Sequence, residues 1–302
     1  MRPTRLRSYA KVNLGLEVLA LRDDGYHELR TIFQTIDLHD DIVLRPRRRG
    51  VTVRCDHPLV PRDGTNLAAR AAEALRAYGR VSSGVEIEIR KRIPVGGGLG
   101  GGSSNAAAVL LGLDRLWKTG LGPDGLHRLA RRLGADVPYF LLGGTALGLS
   151  RGDEVYPLRR QLRVHVVVVD PGIHVSTARV FARLDAGLTP RLNSNSIFYF
   201  VSRELEGAGG FRFLVNDLEE AALEEAPVLR EQVRRIRAIL LEEGACLAAL
   251  SGSGASCFGL FEGARPAERA RGVLAAEGFR ALAARTLTLD QYRAVWSRTR
   301  AH

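Results

Sequence analysis

Seven of the nine residues from Val95 to Ser103 are glycine or serine, within the stretch PVGGGLGGGSSNAA that spans Pro94 to Ala107. Glycine inside a helix or strand costs roughly 0.5–1 kcal/mol relative to alanine, so this density argues against a regular element and demands a reason. The flanks supply one. VEIEIRKRIP before the run alternates like a strand, and SSNAAAVLLGLDRLW after it carries alanine and leucine at helical spacing. A glycine loop that opens a helix presents several backbone N–H groups together, and the helix dipole adds positive potential at the same point. Such a loop binds phosphate. Side chains would hold an oxyanion away from the backbone, and some positions call for positive φ, which glycine adopts without steric cost. A tight turn with close helix-sheet packing would use glycine too, with no ligand.

Most phosphate-binding and hydrolytic patterns fail on this chain. No lysine follows the glycines, so the GxxxxGK[ST] loop is absent. Gly96, Gly98 and Gly101 satisfy GxGxxG formally, but no acidic residue closes a second strand about 20 residues on, as a dinucleotide site requires. The VAIK, HRD and DFG elements of protein kinases are missing. Ser103, Ser104 and Ser253 stand in no GxSxG, and there is no HExxH zinc motif.

Alternation of period two predicts strands near residues 5–10, 12–19, 29–37 and 41–55, with a turn at RDDGYH between the second and third. GTNLAARAAEALRAYG predicts a helix capped by Thr65 and stopped at Gly79, and PDGLHRLARRLG predicts another. From about residue 160 the pattern restarts. VHVVVVD reads as a buried strand, followed by a helix from Ser176, a long polar region and a helix beginning at Pro227. Strand and helix then alternate to RALAARTLTL. Charges, a glycine and a proline in SRGDEVYPLRRQ break the apolar pattern, which predicts two domains, 1–155 and 156–302, with a last strand that could pair back with the first.

The 302 residues carry a formal charge of +11, which raises binding to a phosphate polymer as a rival function. The arginines are spread over nearly every segment, and the densest cluster, RPRRRG at 45–50, has no interleaved aromatics and reads as a solvated hairpin loop. No nucleic-acid partner is expected. Lysine occurs only at Lys11, Lys91 and Lys118. Cys55, Cys246 and Cys257 have no ligand spacing and read as reduced thiols. No apolar run is long enough for a membrane span, and the basic amino terminus passes directly into a strand pattern, so a cytoplasmic protein without membrane contact is expected.

The glycine loop is joined by AKVNLGLEV (10–18), RDDGYHELRTIFQTIDLHD (22–40), GADVPYFLLGGTALGLSRGDEV (134–155), FLVNDLE (213–219) and LSGSGASCFGLF (250–261). In this order and spacing they resemble the motifs of the GHMP kinase superfamily, and within it those of the 4-diphosphocytidyl-2-C-methyl-D-erythritol kinase family. Tyr139 stands where phenylalanine is common and Ser253 where threonine is common. The resemblance implies an α/β chain of the α+β type in the two-domain GHMP kinase fold. Its first domain would resemble the ribosomal protein S5 domain 2-like fold, and its second would be ferredoxin-like. It implies an ATP- and Mg²⁺-dependent small-molecule kinase, acting on a cytidine diphosphate conjugate as a monomer or homodimer.

Residue by residue, the resemblance assigns Lys11 and Asp136 to catalysis. Asp136 would accept the substrate hydroxyl proton, with Lys11 beside it and the γ-phosphate. The ATP phosphates would lie in the loop formed by Pro94, Val95, Gly96, Gly97, Gly98, Leu99, Gly100, Gly101, Gly102, Ser103 and Ser104, the two serine hydroxyls serving as donors or a Mg²⁺ ligand. Tyr26 would stack on cytosine, His27 would read its edge, and Phe181 would stack from the second domain, with Thr177 and Asn13 as further substrate contacts. Metal ligands are not assigned. SGSGAS (251–256) fits a loop that closes over the diphosphate or braces the ATP loop, and equally a plain turn between strands.

Overall fold

The computed structural model describes residues 3–187, 195–205, 211 and 214–298. The first of its two sheets holds β1 (Thr4–Leu21), β2 (His27–Arg47), β3 (Val51–Cys55), β4 (Gly84–Arg90), β5 (Thr145–Leu149) and β6 (Glu154–Pro157). Their order is β3-β4-β2-β5-β6, with β1 also paired to β2 along its length. The breaks in alternation that suggested four early strands are bulges. Register shifts at Tyr9/Ala10, Asn13/Gly15 and Val18/Ala20 interrupt the pattern while the long β1–β2 pairing continues.

The arginine-rich segment is not a hairpin loop. β2 continues to Arg47, and β3 pairs with β4 in parallel, so β4 lies between β2 and β3. The parallel pair needs a crossover, which α1 (Leu67–Tyr78) supplies. Asn66, not Thr65, caps that helix: its side chain accepts the Ala68 N–H at 2.9 Å, while the Thr65 hydroxyl bonds Asp63 at 2.6 Å. Gly79 ends it as expected. Beside α1 lie α2 (Gly101–Trp117), α3 (Gly122–Leu133) and the short α4 (Tyr139–Leu142). Alanines on α1 and α2 let both helices approach closely over Ile42, Leu44, Ile87 and Ile89 of the sheet.

The second sheet is antiparallel, ordered β10-β7-β9-β8, from β7 (His165–Asp170), β8 (Leu247–Leu250), β9 (Cys257–Phe261) and β10 (Arg280–Arg285). With α8 (Val228–Glu242) before β8 and α9 (Ala264–Ala276) before β10, this is the ferredoxin-like arrangement. The helix expected from Ser176 is α5 (Thr177–Gly187), and the polar region after it contains α6 (Ser196–Leu205) and α7 (Leu218–Glu225). The last two escape sequence reading: α7 buries Leu218, Ala221, Ala222 and Leu223 between glutamates, too few apolar residues to stand out.

The two sheets share a core. Ala10, Val12, Leu14, Ile32 and Ile36 pack with Val166, Val168, Phe258 and Leu260. The final strand stays in the second sheet, but Thr286 bridges to Ile36 and the Leu287 N–H donates to the Thr35 carbonyl at 2.8 Å. The following helix, α10 (Leu289–Arg298), returns Tyr292 and Trp296 to the core of the first sheet. All three cysteines are free, with Cys55 and Cys257 buried, and burial pushes the Cys257 thiol up to about 12. Among the described residues no helix is long and apolar enough to cross a membrane.

Candidate active site

Lys11 and Asn13 are two residues apart on β1 and share a face, while Ala10, Val12 and Leu14 turn into the shared core. The period of the strand thus delivers a cation and an amide to one cleft. That cleft, about 600 Å³, is lined by Lys11, Asn13, Thr31 and Phe33 from the first sheet, by the loop from Pro94 to Ser103, by Asp136, and by Thr177, Phe181 and Ser253 from the second half. Lys11 is only 4% exposed. Its ammonium bonds the Asn13 side-chain oxygen, stands 3.4 Å from Asp136 Oδ2 and lies 5.7 Å from the centre of the Phe33 ring. Asn13 is fixed in turn by donation to Thr31 Oγ1 at 2.8 Å, and Thr31 donates to the Gly15 carbonyl. Asp136 keeps a third of its side chain exposed, open to a reactant.

The glycine loop has its carbonyls tied back. Ser256 N–H donates to Gly97, Ser251 Oγ to Gly98, Lys11 N–H to Leu99 and Ser104 N–H to Gly100. No backbone N–H from Gly98 to Ser103 has an acceptor among the described residues. A run of donors at the start of α2 is therefore free for an anion. Gly96, Gly98 and Gly100 adopt φ of +74°, +72° and +69°, the left-handed region. Packing also selects glycine here: a Cβ on Gly97 would stand 2.2 Å from Ser256 Oγ, and one on Gly98 only 1.9 Å from the Ser251 carbonyl oxygen. The 251–256 turn thus braces the loop.

The two serines after the glycines differ. Ser103 lines the cleft, whereas Ser104 is buried, donates to the Tyr9 carbonyl at 2.6 Å and accepts from Ser8 Oγ. The Ser104 hydroxyl is a structural tie between α2 and β1, and it does not line the cleft as the loop pattern suggested.

Sequence reasoning missed one end of the cleft, formed by Leu59, Val60, Pro61, Asn66, Leu67, Lys91 and Asn105. Lys91 donates to the fully buried Asp40 at 2.5 Å, and Asp40 also accepts from Asn105 and from the N–H groups of Arg92 and Ile93. Lys91, like Lys11, is one of only three lysines in an arginine-rich chain, a signal that could have drawn attention to it.

Neither Tyr26 nor His27 lines the cleft, but each touches a residue that does, Arg151 and Phe181 respectively. Tyr26 is half exposed and carries the Arg151 guanidinium 4.6 Å over its ring. His27 is buried, stacks on Phe181 at 4.7 Å and bonds Asp185 through Nε2 at 2.7 Å. Thr177 Oγ1 meets Ser253 Oγ at 2.8 Å. Part of the stretch from 185 to 212, which follows Phe181 in the chain, lies outside the described residues.

Residues 66–144 match the family described as GHMP kinases N terminal domain, and residues 208–280 match GHMP kinases C terminal. A 4-diphosphocytidyl-2-C-methyl-D-erythritol kinase of Chlorobium luteolum is 42% identical over 269 residues, 88% of this chain and 91% of that protein. The chain belongs to the 4-diphosphocytidyl-2-C-methyl-D-erythritol kinase family of GHMP kinases. A family member from Gloeobacter violaceus is also 42% identical, covering 92% of each protein. A solved structure of a 4-(cytidine 5'-diphospho)-2C-methyl-D-erythritol kinase superposes with a TM-score of 0.76 at 35% identity, covering 93% of this chain and 98% of that one. A homoserine kinase from Cytophaga hutchinsonii gives the same TM-score at 19% identity, a likeness of fold alone.

Proposed function

We propose that this chain transfers the γ-phosphate of ATP to the 2-hydroxyl of 4-diphosphocytidyl-2-C-methyl-D-erythritol, releasing ADP, in the non-mevalonate route to isoprenoids. The observation that carries the chemistry is the row of unused N–H donors from Gly98 to Ser103, facing the same cleft as Lys11 and Asp136. Phosphoryl transfer passes through a loose transition state, so positioning and charge stabilisation supply most of the catalysis.

The loop holds the triphosphate, and the apolar end at Leu59, Val60, Pro61 and Leu67 suits the adenine ring. Tyr26, His27 and Phe181 hold cytosine, and Asn13 and Thr177 hold the substrate between base and reacting hydroxyl. The substrate oxygen bonds to the γ-phosphorus, the bond from that phosphorus to the β,γ-bridging oxygen breaks, and the hydroxyl proton passes to the Asp136 carboxylate. Lys11 stabilises the charge on the transferring phosphoryl oxygens and orients Asp136.

Among the described residues no group of three or more His, Cys, Asp or Glu side chains could hold a metal. Bound together with ATP, Mg²⁺ would be held in part by the Ser103 hydroxyl, which lines the cleft, and would neutralise phosphate charge. On this proposal the enzyme works in the cytoplasm on small molecules, without nucleic acid or membrane, as a monomer or homodimer.

The test is ATP- and Mg²⁺-dependent ADP release with the cytidine compound beside homoserine, mevalonate and galactose. Turnover confined to the cytidine compound is expected, with Asp136→Ala lowering kcat by roughly 10²–10⁴-fold. Turnover with another alcohol alone would sink the substrate assignment.

A further inference from the structure

The described residues that line the cleft carry three cations, Lys11, Lys91 and Arg151. Lys11 sits at the reaction centre, and Lys91 is paired with Asp40. Arg151 has no role in the chemistry above. It lies in the tight turn between β5 and β6, flanked by Ser150 at φ +61° and Gly152 at φ +88°. Its Nη2 donates to Asp153 Oδ2 at 2.7 Å. Asp153 is fully buried and accepts a second guanidinium from Arg131 Nε at 2.8 Å. A buried carboxylate is expensive unless paired, and here the pairing locks one edge of the Arg151 fork. Its other N–H groups have no hydrogen-bond acceptor among the described residues. The guanidinium also stacks on the Tyr26 ring at 4.6 Å, and that ring is half exposed.

We propose that Arg151, positioned by Asp153, binds the diphosphate of the nucleoside diphosphate substrate, beside the Tyr26 ring that holds the base. The proposal rests on the cytidine substrate assigned above. Two bridging phosphates carry about two negative charges past the base, and a guanidinium with a free edge is the side chain best suited to them. Neither Lys11 nor Lys91 offers such an edge, because a lysine is a point charge and both have carboxylate neighbours.

The experiment separates phosphate from base. Protein saturated with a non-hydrolysable ATP analogue, so that the ATP site is filled, is titrated with cytidine and with cytidine diphosphate by calorimetry. Wild type is expected to bind the diphosphate at least tenfold more tightly than cytidine. Arg151→Ala removes most of that advantage and leaves cytidine affinity within about twofold. Arg151→Lys falls between, because it keeps a charge and loses the fork, and it stands in if the alanine variant does not fold. Tyr26→Ala weakens both ligands by the same factor.

Equal weakening of cytidine and its diphosphate in Arg151→Ala would overturn the proposal, since Arg151 would then only prop Tyr26. An unchanged advantage would overturn it as well, while the substrate assignment stands. If wild type binds neither ligand, the cytidine assignment fails and the proposal falls with it.

Discussion

Asn13, Asp136 and the Phe33 ring surround the ammonium of Lys11, and its Cγ lies 3.1 Å from where a side chain on Gly100 would begin. A guanidinium is larger and planar, so Lys11→Arg is expected to lower kcat by roughly a hundredfold despite its conserved charge. Steady-state kinetics checks this: the loss falls on kcat, with KM for ATP changed by less than about threefold, because the loop N–H groups proposed to hold the triphosphate remain. Wild-type kcat in that variant would show that charge suffices. Lys11 was legible through the resemblance of AKVNLGLEV, and its rarity as a lysine in this chain drew attention to it as well. Arg151 was not. It is one arginine among dozens, and its place is set by Tyr26, far off in sequence, and by a buried Asp153 that reads as a surface charge in SRGDEV. Tyr139 illustrates the same limit. Its hydroxyl is satisfied by Thr35 Oγ1 at 2.6 Å and the Gly144 carbonyl at 2.8 Å, partners no local pattern reveals.

At the scale of elements, the glycine loop was read correctly as strand, turn and helix, but the sequence could not divide its glycines by purpose. The structure does. A Cβ on Gly98 would meet a backbone oxygen and the residue holds φ +72°, so neither neighbour nor backbone can yield. Gly102 lies in the first turn of α2, and a Cβ there meets only Leu67 Cδ1 at 3.6 Å. Gly98→Ala is expected to raise KM for ATP at least tenfold and lower the melting temperature. Gly102→Ala keeps its N–H and gains helix propensity, so KM for ATP stays within about threefold and stability rises by up to about 1 kcal/mol. Thermal melts and ATP kinetics on the pair check both arms, and equal damage from the two variants would mean that open space above Gly102 is itself needed by the phosphates. Element boundaries failed where long-range pairing overrides local pattern. Bulges hid the continuity of β1, and the insertion of β4 between β2 and β3 is a topological fact that the arginine cluster cannot encode.

At the scale of the whole molecule, the two-part order of the chain was visible in the restart of the strand-helix pattern near residue 160, but the dependence of the parts on each other was not. β1 and β2 bury one face under α1 and α2 and the other against the second sheet. α10 then closes the first core from the far end of the chain, with Tyr292 and Trp296 buried and the Tyr292 hydroxyl donating to the Phe140 carbonyl. We propose that the division near residue 155 is one of architecture and not of independent folding. Tyr292→Ala opens a large cavity among Tyr9, Phe140 and Trp296, which costs about 3–5 kcal/mol for an aromatic of this size. If the halves fold together, the full-length variant melts in a single transition at lower temperature, followed both by far-ultraviolet circular dichroism and by tryptophan fluorescence, and a 1–157 fragment is unfolded when made alone. The halves would count as independent if the variant gave two separated transitions, with the second at the wild-type temperature, or if the fragment showed cooperative melting. The catalytic consequence follows from the same geometry. Ser251 and Ser256 of the second half hold the glycine loop of the first, the loop proposed to bind ATP, so loosening the interface by lost packing around Tyr292 should raise KM for ATP as well as lower the melting temperature.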